Sequence, residues 1–510
     1  MSAAASSRRA VENVAASLSS RVSLSPESAF RFLVVAALLT AAAGWEAFRL
    51  SVFSNTGVWV HLRTGLWILQ NHSVPQDGLF SQHASLPWID ASWGFDLLTG
   101  FFYRTLGLRG LPVLLMLFEV AIAAALLLLA QVSVRNFWKG ALLTAAALFS
   151  LSPLHLRPAL CSIVFLSIEL TLLFRARQSG DLRPLFYLPL LFVLWANLDR
   201  QFVYGLAALG LLLLAVVVEN SCRTSNLAWL QTALPELSHG RLAVVLAACL
   251  LATLASPYTY HLLELVWRSA SSNAIDQYLQ DFHSMRFRQP QNYALMLLAM
   301  VAFFSIGRKP SGDLFPLGLM IVSCVISFRL QRDAWLVVVA SVGVIANALS
   351  VKRTDRETLG VAENRWAIPI CAVLTGVVLA ALILRIPAGT EKLLAKVGES
   401  FPVRASEYIR QNHLPKPLFN SYPWGSFLTW YLPDYPVAID ERLDLYSDAV
   451  NIPYFRLMSA KIALQELPDF EQARTILMEA DSPIAQALAA LPGFRVVYQD
   501  DQASVVVREN

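Results

Sequence analysis

Long apolar segments alternate with short polar breaks along most of this chain of 510 residues, between Phe30 and Pro387. A helix needs about 20 mainly apolar residues to cross the hydrocarbon core of a bilayer, and these segments approach that length. The pattern therefore predicts a mainly α, polytopic helical membrane protein with about 11 spans. The predicted spans cover residues 30–48, 110–131, 138–152, 158–175, 184–198, 202–219, 240–256, 291–306, 313–328, 333–349 and 366–386.

One further apolar segment, Trp93–Leu106, is shorter and carries the charged residues Asp96 and Arg104. A charge at the bilayer centre costs about 2.5–3.5 kcal/mol on insertion scales, so we expect this segment to lie at the outer interface. The odd number of spans then places the N-terminus in the cytoplasm and the C-terminus outside. It also keeps the basic clusters in cytoplasmic loops, as the positive-inside rule requires. These clusters are Arg135 with Lys139, Arg175–Arg183, Arg308 with Lys309, and Lys352–Arg365.

Composition supports a membrane protein, because hydrophobic residues make up 56% of the chain and charged residues only 15%. Soluble proteins carry about 25% charged residues. The net charge of +4 and the lack of a Lys/Arg block give no indication of nucleic-acid binding, so membrane lipids are the expected partners. The five cysteines form no CxxC pair and none follows Cys371, so neither a disulfide framework nor a cysteine metal site is indicated.

Three regions follow from this pattern. Residues 1–29 are rich in Ala and Ser and are expected to form a disordered cytoplasmic N-terminus. Residues 30–388 form the membrane domain with a long outer loop at 51–107, and residues 389–510 form a small extracytoplasmic α/β domain. In the last domain the residue pattern predicts a strand at 436–440, helices at 406–412 and 454–467, and a closing hairpin of 494–498 with 503–508.

Several arginines lie at the predicted outer ends of the spans, against the usual charge bias. A single arginine there can anchor a helix end by extending its charge to the lipid headgroups. As a group, however, they suggest an anionic ligand at the outer leaflet, because the planar guanidinium group binds two phosphate oxygens at once. The candidate phosphate ligands are Arg157, Arg200, Arg329 and Arg332.

The outer loop combines tryptophans, which favour the headgroup level of a membrane, with a few titratable groups. His61, Asp77 and Asp90 are the groups in this loop to which a catalytic role can be assigned. A structural role stays open for each of them. Asp77 can cap the turn that follows Pro75, and His61 can be an interfacial side chain.

Short motifs along the chain resemble those of bacterial multispanning proteins related to the C-type (GT-C) glycosyltransferases. In the outer loop the resemblance rests on Trp59-Val-His61-Leu-Arg63-Thr-Gly65 and on the segment from Pro75 to Ser81. Further matches follow in the same order along the chain. They are Trp195-Ala-Asn197-Leu-Asp199, Ser256-Pro257-Tyr258, Arg329-Leu-Gln-Arg332, Phe419–Gly425 and Asp440-Glu-Arg442-Leu-Asp444-Leu-Tyr446.

The resemblance implies an active site on the outer side of a bacterial inner (plasma) membrane, where a sugar moves from a polyprenyl-phosphate donor to an acceptor. Such transfer needs a carboxylate that deprotonates the acceptor. It also needs cations, either arginines alone or arginines with a divalent metal, that stabilise the leaving phosphate. The candidate carboxylates are Asp77, which is the first choice, Asp90 and Asp199. The expected substrate-binding residues are Trp59, His61, Tyr258, Asp440 and Arg442, of which the last two can equally form a salt-bridged strand end.

The chain departs from the resembled pattern at positions where relatives carry acidic groups. Gly57 stands two residues before the first tryptophan of the motif, Ser92 stands before the last one, and Asp199-Arg200 replaces a His-Gly pair. Two hypotheses are therefore retained. The first is an active glycosyltransferase, and the second is a catalytically degenerate scaffold or lipid/glycan-binding subunit of a membrane complex. A transporter is less favoured, because no inverted repeat is visible in the sequence.

Overall fold

The computed structural model describes residues 26–132, 136–222, 234–270, 278, 282–308, 312–349, 367–442 and 445–509. The predicted disordered N-terminus lies outside the described residues up to residue 25. The basic cluster at 352–365 and Asp444 of the C-terminal motif also lie outside them. Helices dominate the described chain, and one small sheet lies in the C-terminal domain.

Every apolar segment that the sequence predicts as a span is helical in the structure. A helix satisfies its backbone polar groups internally, which is what an apolar surrounding demands of such segments. The helices up to residue 385 are α1 (Pro26–Arg49), α2 (Val58–Asn71), α3 (Trp93–Leu106), α4 (Gly110–Ala130), α5 (Phe137–Leu151), α6 (Ala159–Ser179), α7 (Leu188–Leu198), α8 (Phe202–Cys222), α9 (His239–Thr253), α10 (His261–Ala270), α11 (Pro290–Arg308), α12 (Leu314–Arg329), α13 (Trp335–Ala348) and α14 (Ala367–Arg385).

These helices form a bundle with an apolar surface, on which side chains such as Leu142, Leu190 and Phe304 are exposed. By length and composition, six helical stretches of the described chain can cross a membrane: Pro26–Arg49, Trp93–Ala130, Ala159–Ser179, Phe202–Cys222, Pro290–Arg308 and Ala367–Arg385. Shorter apolar helices lie at Phe137–Leu151, Arg183–Leu198, His239–Thr253 and Leu314–Arg329. Helix α13 is buried among the others along most of its length.

Hydrogen bonds attach both ends of helix α3 to the ends of other helices. At its beginning, the Trp93 indole nitrogen donates a hydrogen bond to Asn197 Oδ1 at 2.8 Å, at the C-terminal end of α7. Just after it ends, Arg109 Nη2 donates to the Ile383 carbonyl at 2.8 Å, at the C-terminal end of α14, where the chain enters the C-terminal domain. The interfacial position of α3 stays a prediction.

At the opposite end of α6, Arg177 is buried instead of facing solvent. Its side chain is only 2% exposed, and it forms ion pairs with Glu219 of α8 and with Asp313, which precedes α12. Asp313 also caps α12 by accepting a hydrogen bond from the Phe315 N–H at 3.2 Å. Arg177 thus ties three helices together. It is wrongly counted among the solvent-facing charges of the cytoplasmic loops.

The C-terminal domain has a four-stranded sheet with helices around it. Its helices are α15 (Thr390–Val397), α16 (Val403–Gln411), α17 (Tyr422–Tyr431), α18 (Asp448–Met458), α19 (Pro468–Gln472) and α20 (Pro483–Ala490), and its strands are β1 (Leu418–Asn420), β2 (Thr475–Glu479), β3 (Phe494–Gln499) and β4 (Ala503–Arg508). The strand order is β1-β2-β4-β3, with β1 parallel to β2 and β4 antiparallel to both of its neighbours. The structure contains the predicted closing hairpin and a helix at 406–412, but the predicted helix at 454–467 begins at Asp448 and ends at Met458.

The predicted strand at 436–440 is wrong, because this segment does not join the sheet. The Val437 carbonyl accepts a hydrogen bond from the Gln82 N–H at 2.9 Å, and the Val437 N–H donates to the Phe80 carbonyl at 3.1 Å. The extended backbone of this segment thus forms its hydrogen bonds with the outer loop instead of with the sheet. This pairing attaches the C-terminal domain to the membrane domain.

We expect the C-terminal domain to lie outside the cytoplasm, because the basic loops then stay inside. A cysteine introduced by Ser447→Cys, at an exposed position, should react with a membrane-impermeant maleimide in cells whose inner membrane is intact. The native Cys222, at the far end of α8, is the internal control and should react only after lysis. Protection of the introduced cysteine until lysis would reverse the expected topology.

Candidate functional site

A cavity of about 420 Å³ opens where the outer loop, the ends of several bundle helices and the C-terminal domain meet. Charges of opposite sign reach its wall from different parts of the chain. The acidic side chains are Asp90, Asp96, Asp199 and Glu441, the basic ones are Arg157, Arg200, Arg332 and Arg442, and His61 and His155 also line the wall. Seven of the twelve residues that the sequence nominates as site residues therefore line one cavity.

The outer-loop helices α2 and α3 pack backbone to backbone, and two glycines allow it. A Cβ atom on Gly65 would lie 1.8 Å from the Asp96 carbonyl oxygen, and one on Gly100 would lie 2.5 Å from the Gly65 carbonyl carbon. Any larger residue at either position would force the helices apart. The contact brings His61, one turn before Gly65, against Asp96, one turn before Gly100.

Asp90 and Asp96 are two buried carboxyl groups close to His61, with exposed fractions of 3% and 2%. Asp96 Oδ1 lies 2.7 Å from His61 Nδ1. The Ser92 hydroxyl lies 3.3 Å from Asp90 Oδ1 and 3.5 Å from Asp96 Oδ1, so it can donate to either. Among the described residues, the buried Asp90 Oδ2 has no hydrogen-bond partner. The hydrogen-bonding capacity of this buried oxygen is therefore unused.

Burial also changes the acidity of these groups. It raises the pKa of Asp90 well above its usual range, and the nearby Asp96 carboxyl raises it further. Burial lowers the pKa of His61 against the opposing charges of Asp90 and Glu441. A carboxylate with a raised pKa is a stronger base than a solvated one, which suits it to accept a proton from a hydroxyl group.

Asp199 reaches the cavity from the end of α7. The Ser162 hydroxyl donates to Asp199 Oδ2 at 2.5 Å and accepts a hydrogen bond from the Trp195 indole nitrogen at 2.7 Å. Asn197, in the same motif, accepts the hydrogen bond from Trp93 of the outer loop. The motif that begins at Trp195 therefore orients Asp199 and attaches the outer loop to the bundle.

Three arginines line the side of the cavity that the bundle forms. Arg157 precedes α6, Arg200 lies between α7 and α8, and Arg332 lies between α12 and α13. Arg157 Nη2 donates to the Arg332 carbonyl at 3.3 Å, and the Arg332 guanidinium lies 5.1 Å from the centre of the Phe282 ring. Arg329 belongs to the same motif, but it is exposed and lies outside the cavity, because a short 3₁₀ helix at Gln331–Asp333 turns the chain after it.

Arg442 joins the C-terminal domain to the outer loop at the edge of the cavity. Its guanidinium group forms a buried ion pair with Asp440 at 2.6 Å and donates to the Leu79 carbonyl at 2.6 Å. It also lies 4.7 Å from the centre of the Trp88 ring. Asp440 is fully buried beneath it and does not line the cavity, so the salt-bridge explanation holds for Asp440 while Arg442 contacts the cavity.

Three further residues that the sequence assigns to the site lie outside the cavity. Asp77 is exposed, and its backbone forms a β-bridge with Pro87. Trp59 is fully buried and stacks 4.7 Å from Trp430 of α17, so it anchors the C-terminal domain and cannot contact a substrate. Tyr258 is buried and donates to the Pro75 carbonyl at 2.6 Å, which holds the outer loop in place.

Two acidic residues of the cavity are missing from the candidates that the sequence gives. Asp96 lies in an apolar segment, and its charge there indicates only that the segment does not cross the membrane. Its spacing of four residues from Ser92 is the signal that puts both side chains on one helix face. Glu441 stands between two motif residues, Asp440 and Arg442, and no local pattern directs it toward the outer loop.

The groups that the cavity offers to an anionic ligand are guanidinium groups. Within the described ranges, no three or more His, Cys, Asp and Glu side chains are grouped so that they can hold a metal ion. Arginines bind phosphate through paired, charge-assisted hydrogen bonds, and three helix ends supply them here.

No protein-family model and no curated protein matches the chain by sequence. Solved structures of similar fold do exist. The archaeal oligosaccharyltransferase AglB from Archaeoglobus fulgidus, in complex with an inhibitory peptide and a dolichol-phosphate, matches with a TM-score of 0.54 and 11% identity, over 89% of this chain and 70% of its own. ArnT from Cupriavidus metallidurans, bound to undecaprenyl phosphate, matches with a TM-score of 0.46 and 14% identity, over 92% of this chain and 97% of its own.

The match to AglB confirms the predicted GT-C-like resemblance at the level of the fold. The match to AglB covers the bundle and reaches into the C-terminal part of this chain, because it includes 89% of the residues. The chain is therefore a polytopic membrane protein with a GT-C-like fold.

Proposed function

We propose that this protein is an integral membrane glycosyltransferase that moves a sugar from a polyprenyl-phosphate donor to an acceptor on the outer face of the membrane. The observation that carries the proposal is the division of charge in one cavity. Arginines enter it from the ends of the bundle helices, and buried carboxyl groups enter it from the outer loop. Transfer from a lipid phosphate needs these two kinds of group within reach of one sugar.

The arginines suit the phosphate of the donor. Arg157, Arg200 and Arg332 each adjoin the end of an apolar helix, which supports a site at the headgroup level of the membrane. The fold neighbour AglB is in complex with a dolichol-phosphate, which supports a polyprenyl phosphate as the lipid partner. When the sugar leaves the phosphate, the phosphate gains negative charge, and fixed guanidinium groups stabilise that charge in the transition state.

Asp90 suits the acceptor. In the proposed reaction the acceptor hydroxyl oxygen bonds to the anomeric carbon of the sugar as the bond from that carbon to the phosphate oxygen breaks. Asp90 Oδ2 accepts the hydroxyl proton, and the polyprenyl phosphate leaves. The N–H and hydroxyl of Ser92 hold Asp90 in place through Oδ1. His61 is hydrogen-bonded to the nearby Asp96.

The second candidate function is a catalytically degenerate subunit that binds a lipid phosphate or a glycan without transferring it. Gly57 and Ser92 favour this alternative, because both stand at positions where the resembled proteins carry acidic residues. The same arginine wall would then bind the lipid phosphate. The two functions differ in whether bound donor is consumed.

Transfer and binding measured on the same purified protein in lipid nanodiscs test both candidates. We expect undecaprenyl phosphate to raise the melting temperature, since a ligand at 100 times its Kd stabilises a protein by about 2.7 kcal/mol. We also expect polyprenyl-phosphate-linked sugars to release polyprenyl phosphate when a membrane extract supplies acceptors. Binding without release supports the degenerate subunit, and neither binding nor release overturns both candidates.

A further inference from the structure

The backbone at Gly57 has an ordinary helical conformation, with φ of −72° and ψ of −20°, so it does not need a glycine. The space beside it is taken by the end of another side chain, which would have to shift for a larger residue. A Cβ atom on Gly57 would lie 2.8 Å from Glu441 Oε2, which is closer than real Cβ atoms approach an oxygen. The carboxylate of Glu441 therefore occupies the place that a side chain at position 57 would fill. Both residues line the cavity.

The C-terminal domain holds Glu441 firmly in this position. On one side of it Asp440 is fully buried, and on the other Arg442 is bonded to Asp440 and to the outer loop. The Glu441 N–H donates to the Ser426 hydroxyl at 3.4 Å. The neighbouring Gly425 lets α17 approach, because a Cβ atom there would lie 2.0 Å from the Ile439 carbonyl oxygen. Backbone contacts thus fix the direction in which the Glu441 side chain leaves the domain.

We propose that Glu441, which reaches from the C-terminal domain into the space beside Gly57, supplies an acidic group to the acceptor side of the cavity. This inference rests on the proposed function. At this place the Glu441 carboxylate accepts a hydrogen bond from an acceptor hydroxyl and, with Asp90, fixes the oxygen that attacks the sugar.

The position of Glu441 relative to the other charges supports this assignment. His61 and Glu441 line the same cavity, and the charge of Glu441 opposes the burial that lowers the pKa of His61. Asp90 and Asp96 line this cavity as well. The C-terminal domain thus completes the cavity with two adjacent residues, Glu441 and Arg442, and is more than an appendage of the bundle.

Moving the carboxylate from position 441 to position 57 tests the inference. Glu441→Gln should lower the rate of sugar transfer about 100-fold, which is the lower part of the range for a positioned carboxylate. Gly57→Asp alone should also be impaired, because its side chain meets Glu441. The double variant Gly57→Asp/Glu441→Ala should recover to within about tenfold of the wild type, since it restores one carboxylate in the same place. Glu471→Gln, an exposed change in the same domain, should transfer as the wild type does.

The outcomes separate this inference from the function on which it rests. Transfer by Glu441→Gln at the wild-type rate, or a double variant no better than Glu441→Ala, overturns the inference and leaves the function standing. Absence of transfer by the wild type overturns the function and this inference with it. Binding of undecaprenyl phosphate should be unchanged in Glu441→Gln, because the arginine wall is intact, and a loss of binding there contradicts the acceptor-side assignment.

A stability measurement checks the shared space independently of activity. Gly57→Ala should lower the melting temperature of the wild type more than that of Glu441→Ala, because the added Cβ atom meets Glu441 Oε2 at 2.8 Å and this side chain must shift. Equal effects in the two backgrounds would mean that Glu441 does not occupy this space in solution, and the inference would fail.

Discussion

Replacing Asp90 with asparagine is expected to lower the rate of sugar transfer by about 100- to 10,000-fold, the range for loss of a general base. Asparagine keeps an oxygen that can accept the hydrogen bonds from the Ser92 N–H and hydroxyl, which now go to Asp90 Oδ1. The loop conformation should therefore survive. Only the second oxygen, which has no hydrogen-bond partner among the described residues, loses its basicity. Transfer measured with a saturating polyprenyl-phosphate sugar checks the rate.

Asp77→Asn is the matched control for this experiment, because Asp77 belongs to the same loop but is exposed and outside the cavity. We expect it to transfer at the wild-type rate, and the reverse result would restore the sequence-based choice of Asp77. The pH dependence gives a second check. A base works only when ionised, and burial raises the pKa of Asp90. As the solution is acidified, transfer by the wild type should therefore begin to fall at a higher pH than it would if the base were an aspartate with the usual pKa.

Replacing Arg332 with alanine is expected to lower transfer by about 100- to 1,000-fold, as the loss of one group that stabilises transition-state charge does elsewhere. Arg332 lines the cavity beside Phe282, and its main-chain carbonyl accepts a hydrogen bond from Arg157. The substitution removes the guanidinium group and leaves that carbonyl in place. Binding of undecaprenyl phosphate should weaken about 10- to 100-fold, because a hydrogen bond to a charged group contributes roughly 1.5–3 kcal/mol.

Arg329→Ala provides the control for Arg332, since both residues belong to one Arg-x-x-Arg motif and only Arg332 lines the cavity. If these arginines acted only through their positive charge near the membrane, and not by binding the phosphate, both substitutions would have the same effect. We therefore expect Arg329→Ala to keep transfer and binding. Equal losses in both variants would show that these arginines act through the membrane surface and would remove Arg332 from the phosphate site.

The helices of the bundle could be predicted from the sequence because their cause is local. An apolar segment of sufficient length must satisfy its own backbone polar groups, and a helix is how one segment does so. The boundaries of α1 and α14 accordingly lie within a few residues of the predicted ones.

The motifs of the resembled proteins identified the right segments but only part of the right residues. They pointed to Asp90, Asp199, Arg332 and Arg442, which the structure brings into one cavity. A motif does not say which of its members pack and which face a ligand. Trp59 packs against Trp430, whereas His61, two residues later on the same helix, lines the cavity. That difference depends on where the C-terminal domain docks.

The sequence by itself thus determined the helical membrane class and the apolar helices, which follow from hydropathy over short stretches. Tertiary structure alone decided that Asp90 and not Asp77 reaches the arginines, that Asp96 meets His61, and that Glu441 lies over Gly57. These outcomes depend on backbone contacts between distant segments, such as Gly65 with Gly100 and Val437 with Phe80. Such contacts leave no periodic trace in the chain, because each depends on a partner that local sequence does not specify.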